Sequence, residues 1–429
     1  MKIKVLSITV ISITLCLLTS CLGSDNPSID YSTDDTIHAF ALGTIHGVDY
    51  AFTIDQANNK IYNIDSLPFR SDTIVDKTLI KSLSSMGYIT SADTLFNYAT
   101  DSIDLSNTMN NPLKLKVTAP DGLHSREYSI EVRIHQQNPD ALEWSKMSNS
   151  FSNDEAAPLK KAIILGSNLL AYTSNTIAYT TPISDGHTWG EINLIGLPES
   201  INWGSIQNFK NNLYISTTNG DVYVSENGVT WEKQTSLSGN NITTLLTTFP
   251  KTISAIINNN GEQRFCISNP TLTGWVLGDI VPDNFPSSNI SSTIYTTDTG
   301  LNKAFLVGKE LGSATKTTPW FSLDGKIWAE ASTTSNYYYP LTKNPSITHF
   351  NKIFYSFGSD IDAIYTSKEG IVWKKIEKDM VLPSGFNERD FYSMTVDHNS
   401  YIWIIYTKEG TKSNEVWRGR INRLGFLIQ

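Results

Sequence analysis

The chain has 429 residues, with 33 Lys and Arg against 42 Asp and Glu, a formal net charge of −9 and three cysteines. This acidic balance argues against a nucleic-acid partner, because phosphate binding needs a basic stripe that neutralises backbone charge. The length is enough for two or three domains.

At the N-terminus Lys2 and Lys4 precede an uncharged apolar run from Val5 to Leu17, followed by Leu18-Thr19-Ser20-Cys21. This is the layout of a secretory signal, and the run is short of the roughly 20 apolar residues that span a bilayer. The tetrad resembles the lipobox of bacterial lipoproteins. That resemblance implies a signal peptide over residues 1–20, cleavage before Cys21 and lipidation of Cys21, whereas the residues alone leave open a cleaved signal with an incidental cysteine. With Cys16 removed and Cys21 lipidated, only Cys266 remains, so no intrachain disulfide is expected. Loss of Lys2 and Lys4 leaves 31 basic against 42 acidic residues, a charge of −11. Residues 21–35 are polar and acidic and read as a flexible tether. Acidic segments in this position resemble the export signals of surface lipoproteins in Bacteroidota. The expected location is the cell envelope, on an outer membrane held through the lipid, with surface-exposed and periplasm-facing placements both open.

Residues 36–136 show strand alternation without an internal period. Leu113, Leu115 and Val117 alternate with Lys114, Lys116 and Thr118; Tyr128, Ile130, Val132 and Ile134 alternate with Ser129, Glu131 and Arg133; and Pro120-Asp121-Gly122 turns between the two runs. A second hairpin is predicted around Asn58-Asn59, since Asn tolerates left-handed backbone angles. Residues 76–87 fit one short helix. The segment is predicted to be a small β-sandwich, and its closing Tyr-x-Ile-x-Val strand resembles cadherin-like or immunoglobulin-like domains of exported bacterial proteins.

From residue 140 onward the chain repeats. Gly186 and Trp189, Gly228 and Trp231, Gly325 and Trp328, and Gly370 and Trp373 share one spacing, in segments such as "SENGVTWEKQ" and "SLDGKIWAEA". Short β-prone stretches precede three of them. A weaker copy ends at Trp275, and an isolated strand of the same kind holds Trp144. Successive tryptophans from Trp144 to Trp373 lie 45, 42, 44, 53 and 45 residues apart. A period of about 40–45 residues built of short strands indicates a β-propeller with one four-stranded blade per repeat. The prediction for 140–429 is six blades, the last completed by the strand near Trp144, since "EVWRG" near the C-terminus lacks an outer neighbour of its own. The whole chain is therefore expected to be all-β.

The turn Ser322-x-Asp324-Gly325-x-x-Trp328 is similar to the Asp-box associated with bacterial sialidases. Its physics is local: Ser and Asp side chains accept from turn N–H groups, Gly takes φ > 0, and Trp covers a seam between sheets. Asn227 and Glu369 occupy the Asp324 position in two other copies, and Asp185 sits in a shorter one. Such exchange suits a turn brace and ill suits a catalytic acid. Sialidases need three arginines from different blades, with a Tyr/Glu pair and an acid. The arginines here are Arg264, Arg389, Arg418, Arg420 and Arg423, three of them within six residues, and the early aromatic-Arg-Ile-Pro signature is absent. Arg418 and Arg420 share one strand face, the solvated side of an edge.

No catalytic residue is assigned. His187, His349 and His398 lack the spacing of a metal site, so no metal or cofactor is expected. Candidate ligand contacts are Trp203, Tyr337, Tyr338 and Tyr339, whose rings suit sugar stacking, and Glu388 with Arg389 before an inner strand; filling of seams and solvated ion pairing are the competing roles. Taken together the chain resembles uncharacterised cell-envelope lipoproteins of Bacteroidota. The expectation is a non-enzymatic binding or scaffolding protein for a glycan or envelope protein, with an exo-acting glycosidase of sialidase type as the alternative.

Overall fold

The computed structural model describes residues 30–429 except 153–157, 240, 311–316, 332–338, 341, 343, 351, 377, 387–390, 409–410 and 426–429. Residues 1–20, Cys21 and most of the 21–35 tether lie outside the described residues, as do Tyr337, Tyr338, Glu388 and Arg389. The chain divides into two units, Met1–Asn138 and Pro139–Gln429.

In the first unit the expected alternation becomes sheet. Leu113–Thr118 and Ser125–Glu131 pair antiparallel, with Leu115, Val117, Tyr128 and Ile130 buried and Lys114 and Lys116 exposed. Asp121 braces the turn between them by accepting from the N–H groups of Leu123 and His124 at 2.9 and 3.1 Å. The Asn58-Asn59 bend joins Phe52–Asp55 to Lys60–Asn63, and Asn59 takes φ 54°. Lys60–Asn63 then runs parallel to Ser125–Glu131 in a six-stranded sheet. The buried Asn63 amide fixes that junction, donating to Asp65 O and Arg133 O and accepting from Arg133 N at 2.6 Å. A separate two-stranded sheet, Ile37–Leu42 with Ile80–Ser85, shares one apolar cluster with the larger sheet.

The helix expected within 76–87 is replaced by the strand Ile80–Ser85, and a helical turn lies earlier, at Asp72–Val75. The pairing of Ile80–Ser85 with Ile37–Leu42 carries two register irregularities. The one opposite Ala41 and Leu42, where Lys81 is the extra residue, brings Ile80 and Leu83, three residues apart, to the same buried side, which imitates a helical period.

The described residues of the second unit form six four-stranded antiparallel sheets. Five are assembled from strands consecutive in the chain, beginning at Lys161–Leu165, Gln207–Phe209, Ile242–Thr248, Pro286–Thr296 and Ser346–Phe350. The sixth begins at Phe391–Val396 and continues through Ile402–Lys408 and Thr411–Ile421. Its fourth strand is Leu142–Ser148, from the start of the unit, paired antiparallel to Thr411–Ile421. Trp144 Nε1 donates to Val381 O at 2.7 Å and anchors this strand. Thr411–Ile421 is thus flanked on both sides, and Arg418 and Arg420 do not lie on an edge as expected. They do share a face, with their guanidinium groups over the Tyr401 ring at 4.7 and 4.2 Å. The first strands of the first five sheets pack beside one another in order, and Phe391–Val396 packs on Lys161–Leu165.

Candidate functional site

Each repeated turn is held by its own side chains. In the fourth sheet Ser322 Oγ accepts from Gly325 N at 2.8 Å and donates to Ile327 O, while Asp324 Oδ1 accepts from Lys326 N and Ile327 N at 2.9 and 3.0 Å. Gly325 has φ 77°, which a side chain disfavours, and its carbonyl accepts from Trp328 Nε1 at 3.2 Å. The second sheet repeats this with a neutral amide: Asn227 Oδ1 accepts from Val229 N and Thr230 N at 2.9 and 2.8 Å. In the first sheet Thr181 replaces the serine and Asp185 accepts from His187 N and Thr188 N. The fifth sheet departs from the pattern. Ser367 still accepts from Gly370 N at 2.8 Å, but Glu369 makes no hydrogen bond, because its extra methylene carries the carboxylate past the turn N–H groups. The copy at Trp275 is built otherwise, with Leu272 taking the positive φ and Trp275 Nε1 donating to Leu237 O.

The turn glycines are also contacts between sheets. A Cβ on Gly228 would meet Leu170 of the first sheet at 2.4 Å, one on Gly325 would meet Phe249 and Ser254 of the third at 2.9 Å, and one on Gly370 would meet Phe305 of the fourth at 2.2 Å. A Cβ on Gly186 in the first sheet would meet Trp403 of the sixth at 2.7 Å. The junction of last and first sheets carries further bonds: Ala162 N donates to Ser393 Oγ at 2.8 Å, Arg418 to Ile183 O at 3.2 Å, and His187 Nδ1 sits 2.5 Å from Met147 O. At the second sheet Tyr172 Oη donates to Gly228 O at 2.8 Å, the acceptor that Trp Nε1 uses in the other three turns. Trp231 Nε1 is consequently buried without a partner.

A cavity of about 160 Å³ is lined by residues from the first, fourth, fifth and sixth sheets and by Gly204. Its polar walls are Lys160, Lys161, Asn289, Ser291, Asn344, Ser346, Tyr392 and Ser393. Several already have partners: Ser291 Oγ accepts from Ile347 N at 3.1 Å and Tyr392 Oη donates to Asn344 O at 2.8 Å, both backbone, while the Asn289 amide donates to the side-chain Asn344 Oδ1 at 2.8 Å. Burial raises the Tyr392 phenol above its ordinary pKa, so it stays a neutral donor. Lys161 is partly exposed, and the burial of its stem lowers its pKa from the ordinary lysine value.

Residues 138–429 match the family model described as the DUF6242 beta propeller domain, and residues 23–132 match the DUF6242 N-terminal domain. The chain belongs to the DUF6242 family. Its second unit is accordingly a β-propeller domain within an all-β chain. Among solved structures, a protein of unknown function from Bacteroides thetaiotaomicron is 12% identical, with 89% of this chain and 98% of that one covered and a TM-score of 0.45. A protein of unknown function from Dyadobacter fermentans is 11% identical over 65% of this chain and 98% of that one, with a TM-score of 0.40. No curated protein matches the chain.

Within the DUF6242 propeller domain most of the described residues among those singled out from the sequence have local partners. Tyr339 is buried, with its ring edge-on to Trp373 at 4.9 Å and its hydroxyl accepting from Ser356 Oγ at 2.7 Å, so it fills a seam and offers no stacking face. Trp203 is half-buried against Tyr172, ring centroids 5.4 Å apart. Arg264 is occupied by Glu262 and Gly278 O, and Arg423 by Asp140. His349 packs between Tyr295 and Phe354, and burial lowers its pKa. Among the described residues no three His, Cys, Asp or Glu side chains gather as metal ligands. Lys161 and the cavity hydroxyls escaped the sequence reading, since "LKKAII" carries no signal beyond a strand start.

Proposed function

We propose that this chain is a cell-envelope lipoprotein of Bacteroidota type, anchored to the outer membrane through a lipidated Cys21, whose propeller binds a glycan or an envelope protein without turning it over. In this reading the two sheets of the first unit form a small sandwich that spaces the propeller from the membrane. The six sheets of the second are six blades closed into a ring by Leu142–Ser148. The Ser322 to Trp328 turn and its copies are Asp-box-like braces.

The observation that carries the binding reading is the chemistry of the cavity. Its described polar walls are hydroxyls, amides and ammonium groups, a donor set suited to recognition, whereas glycoside hydrolysis generally works through a facing pair of carboxylates. The turn carboxylates Asp324 and Asp185 are already occupied by backbone N–H groups, and an amide does the same work at Asn227. Ring closure is supported by the junction of sixth and first sheets, where Gly186 abuts Trp403 as the other turn glycines abut their preceding sheets.

The test uses the chain without residues 1–21 on an array of host and envelope glycans, with crosslinking of the anchored protein in its native envelope. Saturable retention of an intact ligand is expected in one of the two. Silence in both would overturn the reading, as would sustained hydrolysis of chromogenic sialosides abolished by altering a charged residue at the cavity mouth.

A further inference from the structure

We infer that Arg418 and Arg420, held over the Tyr401 ring on one face of the sixth sheet, form a binding site for a phosphate group. The two arginines lie two apart on Thr411–Ile421, so their side chains leave the same face roughly 7 Å apart. Tyr401 and Trp403, from the neighbouring strand Ile402–Lys408 and its start, supply the floor. The Arg418 guanidinium lies 4.7 Å from the Tyr401 centroid and 5.3 Å from that of Trp403, and the Arg420 guanidinium lies 4.2 Å from that of Tyr401. Stacking of this kind orients both forks before a ligand arrives.

Most donors of these forks remain available. Arg418 gives one hydrogen bond, to Ile183 O at 3.2 Å, Arg420 gives none, and among the described residues neither forms an ion pair. The adjoining carboxylates are committed elsewhere. Asp397 accepts from Asn399 N, Tyr401 N and Trp403 Nε1; Asp185, just past Ile183, accepts from His187 N and Thr188 N; and Glu143, opposite Arg420 in the register, accepts from Asn422. Both arginines are partly exposed, so a ligand can reach them. Two like charges beside one ring repel each other, and a dianion between them offsets that repulsion. One fork fills the two oxygens of a carboxylate, whereas a phosphate presents oxygens to both forks at once, and near neutral pH its monoester carries close to the double charge that matches the pair. The group can arrive as free phosphate or at the end of a larger carrier. This site goes beyond the glycan or protein binding proposed above, and its failure would leave the array and crosslinking results standing.

The test is isothermal titration of the purified full chain with inorganic phosphate, and separately with glycerol phosphate, at an ionic strength held constant with chloride. Saturable binding is expected, and Arg420→Gln should weaken it about ten-fold, as loss of a charge-assisted hydrogen bond implies. Binding of inorganic phosphate alone identifies a free anion, and binding of glycerol phosphate, with or without it, identifies a carried one. No saturable binding of either, or an affinity that Arg420→Gln leaves unchanged, overturns the site. Should Arg420→Gln fail to fold, labelling of arginines in the wild-type chain with phenylglyoxal, followed by mass spectrometry, replaces it. Phosphate should slow labelling of Arg420 several-fold and leave that of Arg264, already paired with Glu262, unchanged. Equal labelling of Arg420 with and without phosphate counts against the proposal.

Discussion

Changing Gly325 to Ala attacks the turn at two points. The backbone there sits at φ 77°, and the new Cβ would lie 2.9 Å from Phe249 Cε2, 2.9 Å from Ser254 Cβ and 3.0 Å from Ile267 Cγ2. A left-handed conformation costs a residue with a side chain roughly 1–2 kcal/mol. Overpacking typically adds about 1–3 kcal/mol, and here three separate side chains would have to yield together. The smaller entropy of an unfolded chain containing Ala returns about 0.4–1 kcal/mol. The net loss is about 1–4.5 kcal/mol, and at the roughly 2 °C per kcal/mol expected of a large unit Tm should fall by about 2–9 °C. Asp324→Asn is the paired control, because Asn227 already makes both turn bonds as a neutral amide. Its effect should stay within about 0.5 kcal/mol. Calorimetric melts of the three proteins decide the matter. A Gly325→Ala protein melting with the wild type, or an Asp324→Asn protein that loses as much as Gly325→Ala, would refute the reading of these turns as braces docked on the preceding sheet.

Three further outcomes are expected. Glu369→Asp should stabilise the fold by about 0.5–1.5 kcal/mol in denaturant titrations, by shortening the side chain enough to accept from the turn N–H groups; a loss would mean that Glu369 is placed for another purpose. Burial opposes ionisation of Glu415, but hydrogen bonds from Lys146, Trp417 and Tyr406 outweigh it and hold the carboxyl below its ordinary value of 4.5. Its stabilising contribution is therefore complete above that value and lost as pH falls through the lower folded one, so the gap between wild type and Glu415→Gln should close in acid and not otherwise. Burial raises Tyr355 to about 12 and Tyr172, Tyr339 and Tyr392 further still, against an ordinary value of 10.0. Stability from these phenols holds below pH 10 and falls as pH rises above it, so phenolate absorbance from them should appear only together with unfolding; early ionisation lost in Tyr392→Phe would contradict that burial.

The propeller was legible because its turns are chemical punctuation. Gly three residues before Trp recurs since each turn needs a left-handed residue packed on its neighbour and an indole over the seam, and Gly228, Gly325 and Gly370 meet both needs. The pairing of the strand at Trp144 with Thr411–Ile421 was legible because Thr411–Ile421 lacked an outer partner in sequence. Where local period and pairing disagree, the reading failed. Ile80 and Leu83 look helical, yet a bulged strand puts them on one side. The cavity was not legible because it has no local signature: Ala162 and Ser393 meet through the packing of the first strand of the second unit's first sheet on that of its last. The aromatic candidates misled for a related reason, since Tyr339 carries its hydroxyl inward to Ser356 and spends its ring on Trp373.

The central claim, binding without turnover, is tested most directly by following a ligand's mass. The chain without residues 1–21 is incubated with mixed envelope and host glycans, and bound and free fractions are analysed by mass spectrometry over time. The account expects a saturable bound fraction whose mass never changes. Progressive shortening of the glycans, retained through purification and lost when a charged residue at the cavity mouth is altered, would contradict it.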